Sequence, residues 1–531
     1  MRLPSPTSAA LALALLPTAV AGQDAPEYPA LFADPMPLTT EALGPFTRPV
    51  SGVAGAQAYF DQGMQLLYAF APESAARSFH EASNRDPHCA MCWFGEAWAW
   101  GPYLNGPMGA DDAPLAHYAI ERARTVAADH GASEVERAMI EAMAVRYEPV
   151  HDPARRRDLD EAYARAMGEV YGRFPGDLEV GTLYGEALML LQPRRGRWDI
   201  ERPEIGRIHE VLEHTLALDV RHPGACHLYV HATEPTVQPE KAESCAAFLG
   251  SSIPGASHIQ HMPSHTYNRI GRWGDAVRAN IAAWHSDLKA REGMGFAIYP
   301  SHNLHMLLFA ASFDGQGGVA TQAGKDYGRL QIDGQFYHVL TLLRFGRFDE
   351  ILEMEEAPTG PIFRGLWDFG KGYAHLRSGD VATAREYLER VRAASASDEK
   401  FRNHGADQLM GVVGGILNGE ILLVEGDLPG AIAALEEAVE VEDGLQYDEP
   451  EPLNFTARHW LGAVLLEAGR PADAEAVYRA SLEDHPRNGW SLFGLEQALR
   501  AQGRDADADV VDGEFQDAWA RADHWIRSSR Y

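Results

Sequence analysis

The chain has 531 residues, with 46 Lys and Arg against 76 Asp and Glu, for a formal net charge of −30. A hydrophobic content of 46% is that of a folded globular protein, and the length suits several domains or one long repeat array, so wholesale disorder is excluded. The acidity is spread along the chain and repels phosphate backbones and anionic lipid, so neither nucleic acid nor a bare membrane surface is an expected partner.

In chain order, residues 1–21 read as a secretory signal. Arg2 supplies positive charge, Ala9 to Leu16 is a short apolar run, and Ala19-Val20-Ala21 fits a small-residue cleavage site. No other stretch has 18 uninterrupted apolar residues, so no membrane span is expected, and the mature chain is predicted to be periplasmic or secreted. Residues 22–53 are Pro-rich and predict an extended arm. The four cysteines suit an oxidising compartment. Cys226 with Cys245, and Cys89 with Cys92, are the candidate disulfides. Cys89-Ala-Met-Cys92 lacks a following His, so it is not a haem attachment site, and a soft-metal or redox role stays as its alternative.

From residue 54 onward a 34-residue beat recurs. Gly63, Ala75, Phe79, Ala82 and Pro87 mark one unit, Gly426, Ala431 and Ala438 another, and Gly469, Ala474, Tyr478 and Pro486 a third. That period and that placing of small residues resemble those of the tetratricopeptide repeat (TPR). The prediction is an all-α superhelical solenoid of eleven or twelve antiparallel helix pairs. Such pairs stack because one pair alone cannot bury its apolar face. Residues 54–222 form the N-terminal pairs, 223–331 a His-rich middle, and 332–531 the C-terminal pairs. Four connections are long for such a repeat: Asn105 to Ala113, Pro193 to Glu204, Asp287 to Ser301 and Val441 to Leu453. Long loops on a rigid scaffold are where function concentrates.

Nine of the 22 His lie between His222 and His305. In the repeat frame His258 and His302 share the second place of the first helix, His227, His261 and His305 the fifth, His231 and His265 the ninth, and Glu234 takes the twelfth. In tetratricopeptide repeats those places face the concave groove, so the resemblance implies that seven His from three neighbouring helices converge. Neutral imidazoles bind transition metals well. The expected ligands are His227, His231, His258, His261, His265, His302 and His305, for one ion or two. All-imidazole ligation favours copper slightly over zinc, and iron if Glu234 joins. Glu234 and Glu186 are the candidate bases for zinc hydrolysis. Tyr267 and Arg269 are candidate supporting donors, and Pro263 either kinks the helix between His261 and His265 or opens a new one. His222 and His285 fall outside the pattern and read as exposed structural residues, whereas His338 and His375 read as core. Glu96, Trp93, Phe94, Trp98 and Trp100 read as groove or core residues, with Gly101 to Pro107 as a helix break.

The segments His88-Cys-Ala-Met-Cys-Trp-Phe-Gly-Glu-Ala97, His227-Leu-Tyr-Val-His-Ala-Thr-Glu234 and His261-Met-Pro-Ser-His-Thr-Tyr-Asn-Arg269 together resemble a family of exported bacterial tetratricopeptide-repeat proteins. Tyr299 to His305 and Asn488 to Leu495 also fit. The resemblance spans most of the mature chain and implies the solenoid, but it attaches no reaction. Members often read Pro-His-Asn where this chain has Pro300-Ser301-His302-Asn303, which sets His302 apart. The functional expectation is a metal-dependent enzyme with copper oxidoreductase chemistry ahead of zinc hydrolysis, acting on a small molecule or peptide in the groove. The alternatives are a non-catalytic scaffold binding a peptide or protein partner, and a periplasmic metal carrier. No phosphate-cradling loop, dinucleotide fingerprint or nucleophile elbow is present.

Overall fold

The computed structural model describes residues 25–51 and 55–531. The signal-like segment 1–21 lies outside the described residues. Twelve antiparallel helix pairs run from Gln57 to Ala518, the sixth opening with an interrupted helix, Ser257–His261 then Pro263–Arg269. The one strand pair among the described residues, Lys400–Phe401 with His404–Gly405, is a two-residue hairpin between pairs. The architecture is therefore the tetratricopeptide superhelix that the 34-residue beat predicts.

The local causes are in the sequence. Gly426 (φ 85°) and Gly469 (φ 69°) close inner helices in the left-handed region, where a side chain would be strained. Pro72, Pro223, Pro300 and Pro471 open helices, where the missing N–H is not needed. Within the first units the helices approach so closely that the Phe79 ring is clamped by two glycines. A Cβ on Gly63 would fall 2.7 Å from it, and one on Gly95 2.4 Å.

The described arm lies along this scaffold. Tyr28 Oη donates to Glu96 Oε1 at 2.6 Å, Gln65 Oε1 accepts from Gly44 N, and Arg48 pairs with Asp177 and Glu179. At the far end, the backbone N–H groups of Gly317 and Gly318 donate to Asp523, and Arg521 pairs with Asp314 at 2.6 Å, so the last residues fold back on the middle units. Both cysteine pairs, Cys89–Cys92 and Cys226–Cys245, are disulfide-bonded. One helix, Ala406–Val424, is long and apolar enough to cross a membrane, and over half of it is packed inside the protein.

Two apolar cores result. One gathers side chains from Met36 to Met262 with Ile298, and the other from Ala246 to Ile526. They part at the helices that carry the clustered His. His222 departs from its expected exposure. It is 2% exposed, its Nδ1 accepts from Ala225 N to cap helix Pro223–Thr233, and its Nε2 meets Glu179 Oε1 at 3.0 Å. His285 is exposed, and His338 and His375 are half-buried rather than core.

Gly95→Ala should lower stability by about 1–3 kcal/mol, because the added methyl overpacks the Phe79 ring. The urea midpoint reads this directly, and an unchanged midpoint would show that the ring has room to yield.

Candidate metal centre

Three inner helices build the centre. Helix Pro223–Thr233 carries His227 and His231, the interrupted helix carries His258, His261 and His265, and helix Pro300–Phe313 carries His302. Pro263 is the first residue of the second half-helix, and Met262 joins the halves with helical dihedrals, so the proline interrupts the helix between His261 and His265 without turning the chain out of helical conformation. The rings form a continuous chain. Centroids lie 5.0 Å apart for His227 and His258, 5.2 Å for His231 and His265, 5.5 Å for His258 and His261, and 4.7 Å for His261 and His302. His227, His231, His258, His261 and His265 are at most 3% exposed, and His302 is half-buried.

Two groups of three emerge, His227 with His231 and His258, and His261 with His265 and His302. In each, one ring nitrogen per residue lies within 4.8 Å of the others. Nitrogens on one three- or four-coordinate ion with bonds of about 2.0–2.1 Å stand roughly 3.3–3.6 Å apart, so metal binding would draw the rings closer together.

Hydrogen bonds fix which nitrogen is free. His227 Nδ1 donates to Tyr68 O at 2.5 Å, and His265 Nδ1 donates to Glu234 Oε2 at 2.8 Å. His261 Nδ1 donates to Asn280 Oδ1 at 2.7 Å, and the amide is oriented because its Nδ2 donates to Ala276 O. Each of these rings therefore presents Nε2 with a lone pair, the arrangement that supports a metal-binding imidazole. His261 Nε2 and His265 Nε2 stand 2.8 Å apart. With both Nδ1 protonated, no proton is left to bond them unless one ring becomes cationic, and burial holds His261 well below its ordinary pKa. His227 Nε2 and both nitrogens of His231 and His258 have no hydrogen-bond partner among the described residues. Each such buried orphan costs about 1–3 kcal/mol, so the set is expensive unless a further group takes the lone pairs.

A carboxylate pair borders the second triad. Glu449 Oε2 is 3.9 Å from His231 Nδ1 and 4.0 Å from His265 Nδ1, and these two His with Glu234 and Glu449 make a third, mixed group. Burial would raise the Glu449 carboxyl, but the bidentate Arg194 guanidinium at 2.7 and 2.9 Å draws it down to about 2. Glu234 moves the other way, raised by burial and by the neighbouring Glu449 charge. Its carboxylate serves His265 and the Tyr447 hydroxyl.

The remaining predicted residues stand elsewhere. His305 turns from the triads to the Tyr337 hydroxyl at 2.5 Å, because its place on the helix points between pairs. Glu186 accepts from Trp98 Nε1 at 3.0 Å inside the first apolar core and does not reach the imidazoles. Tyr267 lies beneath the Arg272 guanidinium, 4.5 Å away, whereas Arg269 does border the centre, donating from Nε to Glu234 O.

Glu449, Arg194, Tyr447 and Phe70 were not singled out from the sequence. The first three lie in two of the four long connections, and that length was their signal. The other two connections also arrive here. Asn105 Oδ1 accepts from Arg194, and Tyr299 meets the Tyr103 hydroxyl at 2.8 Å and His258 ring edge to face at 5.0 Å. Phe70 (φ 58°) and Tyr299 (φ 54°) are bulky residues in the left-handed region, and both pack on the first triad. Strain of this kind persists only where the surroundings over-determine it.

The tetratricopeptide-repeat family profile matches residues 417–491. No curated protein matches the chain. Solved structures that align include the human IFIT1 dimer with m7Gppp-AAAA, at 12% identity and a TM-score of 0.32 over 92% of this chain and 93% of that one. The Cut9-Hcn1 hetero-tetramer of the APC/C aligns at 12% identity and 0.30 over 91% and 79%, and the P58(IPK) TPR domain at 13% and 0.21 over 85% and 99%. At those scores the likenesses carry no argument about a ligand.

Burial depresses His227 to about 3 and holds His231, His258, His261 and His302 well below the usual value of 6.5. In the unfolded chain they protonate as pH falls through 6.5. Below that pH the unfolded state therefore binds more protons, and stability falls by about 1.4 kcal/mol per group per pH unit. Chelator-treated protein should lose its helical circular dichroism between pH 6.5 and 5. Retention of the fold to pH 4 would contradict the buried neutral imidazoles.

Proposed function

We propose that this chain holds two transition-metal ions, copper favoured, in paired three-imidazole sets, and works as a metal-dependent oxidoreductase in a periplasmic or secreted setting. The observation that carries the reading is the pair of triads, with Nδ1 of His227, His261 and His265 committed to acceptors and their Nε2 lone pairs turned inward. The donor set fits the group: six neutral nitrogens, with no thiolate and no carboxylate within either triad, suit Cu more than a hard cation, and Cu(II) heads the affinity order for such ligands. Bound copper would supply one-electron exchange with a small oxidisable substrate.

The chain's own residues do the rest. Tyr68 O, Asn280 and Glu234 orient the rings, and Phe70 and the two apolar cores exclude water. Arg194 keeps Glu449 ionised beside His231 and His265. Glu234 is engaged by His265 and Tyr447, which supports an orienting role over that of a free hydrolytic base, so zinc hydrolysis falls behind copper chemistry. The disulfides support an oxidising compartment.

The solenoid itself supports a scaffold or protein-binding role, which is the runner-up. No peptide reaches the five buried imidazoles, so that role would use other surfaces. Burial likewise disfavours a carrier with freely exchanging metal.

Metal content measured by plasma mass spectrometry should give about two equivalents of copper in the parent. His261→Ala and His265→Ala should each lose at least one. Absence of stoichiometric metal, even after reconstitution with copper, zinc and iron, would move the assignment to the scaffold. His258→Leu removes two orphan nitrogens, so it should lower metal content while raising the melting temperature of the chelator-treated protein. A fall in that melting temperature would mean the ring has a protein partner.

A further inference from the structure

Beside the centre, but outside the triads, lies a cavity of about 440 Å³ between the Val441-to-Leu453 connection and the eleventh helix pair. A smaller space of about 30 Å³, room for roughly one water, continues from it to Glu234. Tyr447, Glu451, Asp484 and His485 line both.

The charges in the cavity wall do not cancel. Asp443 is spent on Arg458, at 2.6 and 2.8 Å, and Glu451 on His485, at 2.8 Å. That leaves Asp484 and Glu442, the latter 4.0 Å from the same Arg458, against Arg197. The Arg197 guanidinium stands 3.6 Å from Asp484 and 4.5 Å from the centre of the Tyr447 ring. Glu442 accepts from Thr456 Oγ1 at 2.6 Å and from Ala457 N at 3.1 Å, and burial pushes its carboxyl up to about 7. A cation placed against it would restore its charge. A second, separate feature is His485. It is 8% exposed, its Nε2 is taken by Glu451, and its Nδ1 has no partner. Leu445, Leu453 and Phe455 supply an apolar wall.

We propose that this cavity is a binding site for a small organic amine, its ammonium on Glu442 and a hydroxyl at the other end of a short apolar body on His485 Nδ1. Its volume lies in the range of small-molecule pockets. The site does not depend on metal in the imidazole triads, although its inner end would place such a ligand next to Glu234.

Tyramine is the probe, with 3-(4-hydroxyphenyl)propionate as its counterpart of the same body and opposite charge. Isothermal titration calorimetry on the whole protein should show tyramine binding and at least tenfold weaker binding of the acid. Glu442→Gln should weaken tyramine at least tenfold, and Leu445→Trp, which fills the cavity, should abolish it. Metal content of these variants should match the parent, which separates this site from the triads. No tyramine binding at millimolar concentration, equal or tighter binding of the acid, or undiminished binding by either variant would overturn the proposal.

Discussion

A buried imidazole has two polar nitrogens and no water to satisfy them, and this constraint organises the middle of the molecule. Five such rings, with the half-buried His302 beside them, stand between two apolar cores, at contact distance from one another. Outward-facing nitrogens of three of them are met by a backbone carbonyl, an amide and a carboxylate. On the inner side Nε2 of His261 and His265 face each other, while His227 Nε2 and both nitrogens of His231 and His258 have no partner among the described residues. A cluster of this kind is stable only if the rings stay neutral and something accepts their lone pairs. The neutral state follows from burial, and the neighbouring Arg194 adds a positive charge that opposes protonation further.

The solenoid supplies the precision. Each inner helix presents the same places to the concave side, so His at equivalent repeat positions fall on neighbouring rungs at one repeat's spacing. Pro263 interrupts that regular lattice locally, opening a second half-helix between His261 and His265. The superhelix then curls enough for its first pair to reach its fifth, where the Tyr68 carbonyl meets His227. The four long connections complete the enclosure. Arg194 bridges Asn105 and Glu449, Arg195 and Arg402 both bind Asp448, and Tyr103 meets Tyr299. The Arg194–Glu449 pair and the two arginine pairs on Asp448 are partly buried and charge-assisted, which makes them stronger than exposed ion pairs. The centre is accordingly a closed chamber rather than the open groove that a repeat protein presents by default.

The small-residue beat and the His register were legible because they are local: helix periodicity and the 34-residue repeat translate directly into which face a residue occupies. The sequence by itself determined the helix pairs, the shared face of His227, His231, His258, His261, His265 and His302, and the length of the connections. His305 shows the limit of that reasoning. It shares a repeat place with His227 and His261, yet turns to Tyr337, because helix Pro300–Phe313 meets a different neighbour on its far side. Glu186 and Tyr267 fell on plausible faces but belong to other packing layers. Only the tertiary structure decided that the rings divide into two sets of three, that Glu449 and Arg194 stand at their edge, and that His222 is buried as a helix cap. Those outcomes depend on contacts between residues far apart in the chain, from Glu179 with His222 to Arg194 with Glu449 across 255 positions. No periodicity along the chain encodes the curvature that brings such residues together.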